Sequence, residues 1–147
     1  MRLVKITNTV NNEELNKTLS HGTIFVGAFS DTCPHCVNMQ SEWKNFISMV
    51  IKYKINVTIL EINANILSSI TNPLINNNIE GLPSLFIIKN NKFIASYNKE
   101  RTANKFLQFL KKYTSKISKK HTIKAMIRRG RRKHTLKHLK SKNVIRM

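Results

Sequence analysis

Cysteine is scarce in this chain: there are two in 147 residues, Cys33 and Cys36. A framework of several disulfides is excluded, and the pair can form at most one bridge. Long apolar runs are also lacking. The amino-terminal MRLVKITNTVNNEEL contains no secretory apolar region, and no later stretch approaches the ~18 apolar residues of a membrane helix. The expectation is an unsecreted, cytoplasmic protein without a transmembrane segment, where a cysteine pair is more often catalytic or metal-bound than a structural bridge. Acid is absent from residues 111–147, which carry 15 Lys/Arg, whereas residues 1–110 hold 11 Lys/Arg and 7 Asp/Glu. The formal charge of +19 therefore belongs to a tail. Aromatics stop at Tyr113, which excludes base-stacking recognition by that tail.

What is present is one globular domain's worth of hydrophobic sequence, 41% of the chain, with no internal repeat. Asn and Ile number 18 each, a bias that reads as a genome rich in A and T and as carrying no chemistry. Leu3 to Ile6 reads as a short strand, and Asn12-Glu13-Glu14-Leu15 opens a helix with acids in its first turn. Thr23 to Phe29 is almost continuously apolar, the pattern of a strand buried on both faces. From Pro34 the period becomes helical, with Met39, Trp43, Phe46, Ile47 and Val50 on one face. Val57 to Ile62 reads as a strand, followed by weakly helical, Asn-rich sequence to Ile79. Ser84–Ile88 and Phe93–Tyr97, joined through Asn90-Asn91, predict a hairpin. Thr102 is a candidate N-cap for a last helix with Phe106, Phe109, Leu110, Tyr113 and Ile117 on its apolar stripe. The order βαβαβαββα predicts an α/β fold, with a domain over 1–114 and a basic tail, flexible or helical, over 115–147.

The cysteines lie where the buried strand gives way to the helix. Cys33 and Cys36 have the spacing of zinc ligands, and so do His134 and His138, but 97 residues separate the two halves. Two buried cysteines acting as small hydrophobes are another possibility, which leaves their place in the chain unexplained. A strand-to-helix junction favours thiol chemistry. Unsatisfied N–H groups and the positive helix end stabilise a thiolate, so Cys33 is expected to be the low-pKa nucleophile. Cys36, one turn deeper, is placed to attack a mixed disulfide at Cys33 and is expected to resolve it. Pro34 fits the first helical turn, and His35 offers a donor or positive charge to the thiolate; a merely solvated imidazole is the alternative.

Here the chain resembles the thioredoxin-like superfamily, over residues 1 to about 115. The resemblance rests on Cys33-Pro34-His35-Cys36 after a buried strand and on Gly81-Leu82-Pro83-Ser84 before the next strand pair. It implies a central mixed sheet flanked by helices, a cis Pro83 beside the thiols that shapes the substrate groove, Leu82 and Pro34 also in contact with substrate, and no metal or other cofactor. Pro34-His35 is similar to the dipeptide of the bacterial DsbA-type oxidases, though the long helical insertion of those enzymes is absent. That tilts the expected direction toward oxidation or isomerisation. Thioredoxins and disulfide isomerases, which the chain resembles, place a buried acid six residues before the first cysteine; here the position is Gly27. A nearby strand position, usually Lys, falls on Glu61, so the carboxylate is expected to have crossed the sheet and to accept the Cys36 proton. The alternative is that Glu61 faces outward or pairs with a lysine.

The resemblance implies protein thiol or disulfide substrates and a redox partner, either a reductase or a thiol oxidase. The tail predicts non-specific nucleic-acid binding through phosphates, with an anionic membrane surface, a nuclear address or mere solubilisation as alternatives. In style the sequence is similar to thioredoxin-like proteins of large DNA viruses that assemble in the cytoplasm, which implies viral protein substrates and a place in the virion. Two functions follow: a thiol–disulfide oxidoreductase, or a redox-inert scaffold that binds nucleic acid or virion components through its tail.

Overall fold

Alternation sets the sheet. In the strand Thr23–Phe29 (β2), Phe25 faces one layer while Ile24 and Val26 face the other, and all three are buried. The computed structural model describes residues 1–114, which form one compact unit. The basic segment 115–147, with its expected nucleic-acid role, Ile117 and the His134/His138 half of the zinc alternative, lies outside the described residues. The elements are β1 (Arg2–Ile6), α1 (Asn12–Ser20), β2, α2 (Pro34–Lys52), β3 (Thr58–Asn63), a 3-10 segment (Ala64–Ser69), α3 (Pro73–Asn76), β4 (Ser84–Lys89), β5 (Lys92–Ser96) and α4 over 103–114. The five strands lie in the order β1-β3-β2-β4-β5. The first three are parallel, and β4 and β5 run antiparallel to their neighbours, so the sheet is mixed. This is the thioredoxin-like α/β fold. Among the described residues no helix is long and apolar enough to cross a membrane.

Each face of the sheet has its own core. Phe25, Ile59, Leu85 and Ile87 pack against α2 and α4, where Trp43, Phe46, Phe106 and Phe109 meet. Rings there approach mostly edge to face; Phe25 and Phe46, for example, stand 5.3 Å apart at 83°. On the other face Ile24, Val26, Leu60, Ile62, Phe86 and Ile88 pack against α1, the 3-10 segment and α3. The hairpin turns at Asn90 and Asn91, whose φ values of 49° and 63° are left-handed, as Asn tolerates.

The asparagines correct one sequence expectation: their number reflects more than genome bias. The side chains of Asn11, Asn63 and Asn72 accept the first free N–H groups of α1, the 3-10 segment and α3. Asn76 and Asn78 donate to the Ile70 and Leu74 carbonyls, and Asn12 ties α1 to Ser69 and Thr71. These bonds hold residues 64–79, weakly helical in sequence, as short capped pieces, because Asn side chains compete with the backbone for its own partners.

Candidate active site

The carboxyl end of β2 delivers the chain into a turn, Ser30 to Thr32, and then into α2. Cys33 is the N-cap of α2, with extended backbone (φ −86°, ψ 117°), and its Sγ accepts from the Cys36 N–H at 3.3 Å. Pro34 occupies the first helical position, where its missing N–H costs nothing. Cys36 is completely buried one turn in, while Cys33 is half-buried; both are free thiols. The hydrogen bond from the Cys36 thiol, then the backbone N–H groups of Cys36 and His35 and the charge of Arg101, lower the Cys33 pKa against the opposing effect of burial. Burial, and then the bond it gives Cys33, push Cys36 up from the ordinary 9.0 to about 11. The two sulfurs are thus unequal, the proton being lost more readily from Cys33 than from Cys36.

The proline loop comes alongside. The Leu82–Pro83 peptide bond is cis, and the Cys33 thiol donates to the Leu82 carbonyl at 3.7 Å. Next to it lies a polar groove of about 380 Å³ lined by Leu82, Pro83, Ser84, Asn98 and Arg101 among others. Pro34 and Val37, the latter 51% exposed, flank Cys33 on the helix. Cys33, Cys36, Leu82 and Pro83 are thus brought together.

His35 is exposed, and its contribution to the thiolate comes through its backbone N–H. Glu61 is in register with Gly27, as expected, but its hydrogen-bond and ion-pair partners are Trp43 and Lys5, not a sulfur. The Trp43 indole N–H donates to Oε1 at 2.9 Å, and Lys5 Nζ stands 3.6 Å from Oε2. A side chain at Gly27 would meet the Phe29 ring at 2.7 Å and Trp43 at 3.1 Å, so aromatic rings fill the space that an acid there would need. These groups border a second cleft, of about 340 Å³, which neither cysteine lines. Arg101 carries no signal in the sequence. Its signal is tertiary: it stands in the loop between β5 and α4, lines the groove with Leu82 and Pro83, and its positive charge lowers the pKa of both thiols from far along the chain.

A half-buried and a buried cysteine at a helix terminus beside a cis-proline loop define a thioredoxin-fold CxxC protein. The Thioredoxin family model matches residues 3–112, and the chain belongs to that family. It is 23% identical over 101 residues to the Thioredoxin domain-containing protein 5 homolog of Drosophila melanogaster, covering 69% of this chain but 24% of that protein, so it spans about a quarter of the curated relative it matches. Among solved structures, it is similar to the J-Trx1 fragment of ERdj5 (20% identity, TM-score 0.58, 75% of this chain and 50% of that one). It is also similar to a mutant thioredoxin from Halobacterium salinarum (12% identity, TM-score 0.55, 77% of this chain and 91% of that one). At these identities the structural likeness speaks to the fold.

Proposed function

We propose that this chain is a protein thiol–disulfide oxidoreductase whose working dithiol is Cys33–Cys36. The observation that carries the reading is the unequal pair: a half-buried Cys33 at the helix terminus with a lowered pKa, and a fully buried Cys36 raised to about 11. In reduction, the Cys33 thiolate attacks a substrate disulfide; a Cys33–substrate bond forms, the substrate S–S bond breaks, and one substrate thiolate leaves. Cys36, on losing its proton, then attacks Cys33, which releases the second substrate thiolate and leaves the Cys33–Cys36 disulfide. Oxidation runs the same steps in reverse: two substrate thiols supply the electrons that reduce the Cys33–Cys36 disulfide, and a separate thiol oxidase restores it. The Leu82 backbone and Pro83 edge the entry to Cys33, and exposed Val37 offers apolar contact to a substrate segment. A depressed attacking thiol and the Pro34-His35 dipeptide favour oxidation or isomerisation over reduction. The substrates are proteins, in the cytoplasm.

Trapping tests it. Cys36→Ser is expected to accumulate mixed disulfides with cysteine-containing proteins, and Cys33→Ser to trap none. Equal absence of adducts from both would favour the redox-inert scaffold.

A further inference from the structure

The last helix is held at its start by another helix. Thr102 caps α4: its carbonyl accepts from the Phe106 N–H at 3.0 Å and its Oγ1 from the Lys105 N–H at 3.4 Å. The Ala103 N–H, at the first helical position, has no intrahelical acceptor. Glu42, in the middle of α2, supplies one: its Oε2 accepts from Ala103 at 2.7 Å, across 61 positions of sequence. The helix dipole favours a carboxylate there as well. On the other side of the loop the Tyr97 hydroxyl donates to the Glu100 carbonyl. Arg101 stands between the two tethers, and it lines the groove shared with Leu82, whose carbonyl touches Cys33 Sγ.

We propose that Glu42 is a positioning residue for the dithiol: by holding the start of α4 to α2, it keeps Arg101 in the proline-loop groove beside Cys33. This rests on the reading of the pair as redox-active. The Glu42 carboxylate is bonded to Ala103 and to neither sulfur, so it acts through the loop. Other titratable or charged groups around the pair are Asp31 in the preceding turn, His35 on α2, and Glu80 and Tyr97 along the groove. Sign separates the two ways in which Glu42 can act. As a nearby negative charge it would oppose the thiolate, and its removal would speed reaction of Cys33. As the holder of Arg101 it favours the thiolate, and its removal slows that reaction.

The test uses the full reduced chain and the rate of Cys33 alkylation by iodoacetamide from pH 5 to 9, assigned by mass spectrometry. On the acidic side of the profile, Glu42→Ala is expected to slow alkylation by about two- to fivefold, short of the tenfold of a whole pKa unit. Glu42→Gln keeps an oxygen acceptor for Ala103 and is expected to stay within about twofold of wild type. Arg101→Gln should slow the reaction at least as much as Glu42→Ala, and the double variant should be no slower than Arg101→Gln alone. Faster alkylation in Glu42→Ala, or full additivity in the double variant, would overturn the proposal. Should Glu42→Ala not fold, an unchanged rate in Arg101→Gln overturns it alone. Alkylation needs no disulfide substrate. Failed trapping with these results intact would therefore remove the oxidoreductase reading and leave the positioning role standing.

Discussion

Helix α2 has two surroundings, and they handle polarity in opposite ways. Its amino end faces loops, where backbone N–H groups, the Leu82 carbonyl and Arg101 surround two sulfurs and a polar groove opens to solvent. Two turns further on, the same helix lies on β2 and β3, where Phe29 and Trp43 close over Gly27 and the carboxylate of Glu61 is bound to Trp43 and Lys5. The difference teaches that the two thiols are set apart by helix-terminal donors, the bond between them and the burial of Cys36, while the charge of Arg101 lowers both and the sheet carboxylate of Glu61 is engaged elsewhere. An exposed salt bridge such as Lys5–Glu61 adds little by itself, but a charge-assisted indole bond at 18% exposure is worth about 1.5–3 kcal/mol.

The largest effect is expected from forcing the apolar interior to hold a charge. Gly27→Asp would drive a side chain into the Phe29 ring and set a carboxylate directly beside Glu61 in the strand register. Overpacking and burial of a like charge should together cost about 3 kcal/mol or more, read by urea unfolding. Wild-type stability in this variant would mean that Phe29 yields and that an acid can be housed there.

Next comes pH. Cys36 has a folded-state pKa raised from 9.0 to about 11, so the folded reduced form holds its proton where the unfolded chain has released it. Its contribution is complete below about 9 and is lost as pH rises toward 11, a fall of about 2 kcal/mol relative to Cys36→Ala. Cys33, lowered, works in the opposite sense: its contribution is present above the ordinary thiol range and is lost as pH falls through its folded value. Melting curves of the reduced protein and of Cys36→Ala across pH 8 to 11 check this, and parallel curves would mean that Cys36 is not held as a thiol by the fold.

Glu61→Gln is expected to act on stability more than on chemistry. Losing the charge weakens the Trp43 bond by about 1 kcal/mol, with a change in the fluorescence of this single tryptophan. Resolution of the Cys33 mixed disulfide, followed by stopped flow, should change by less than the tenfold typical of lost acid–base assistance. A slowing of about tenfold would restore Glu61 as the Cys36 proton acceptor.

What the sequence makes legible is local. A seven-residue apolar strand running into a helical period places Cys33 and Cys36 at a helix terminus without reference to anything distant, and Gly81-Leu82-Pro83 is contiguous. Arg101 and Glu42 are not legible, because each acts across a loop that only the packing of α2 against α4 brings near. Glu61 is half legible: parallel register puts it level with Gly27, but its carboxylate is held by Trp43, ten residues beyond Cys33, and the helical period that puts Trp43 on the buried face does not say which strand side chain its indole N–H meets. Residues 64–79 are blurred because asparagine caps, spread over separate segments, decide where each short piece starts.

The smallest effect concerns His35, and it tests whether the cysteine end of α2 relies on backbone or on side chains. From the sequence, the imidazole between the cysteines is expected to stabilise the Cys33 thiolate. In the structure the side chain is exposed, and the His35 contribution to lowering the Cys33 pKa is a backbone hydrogen bond. A charge held in water is screened and pays side-chain entropy to stay near its partner, whereas a backbone N–H in a helix terminus is already fixed. His35→Ala keeps that N–H and favours helix, so Cys33 alkylation should change by less than about twofold from pH 5 to 9. His35→Pro removes the N–H at the second helical position and should slow alkylation on the acidic side more than Ala does. If Ala slows it as much as Pro, the side chain carries the effect, and the cysteine end of the helix depends on that side chain as well as on its backbone.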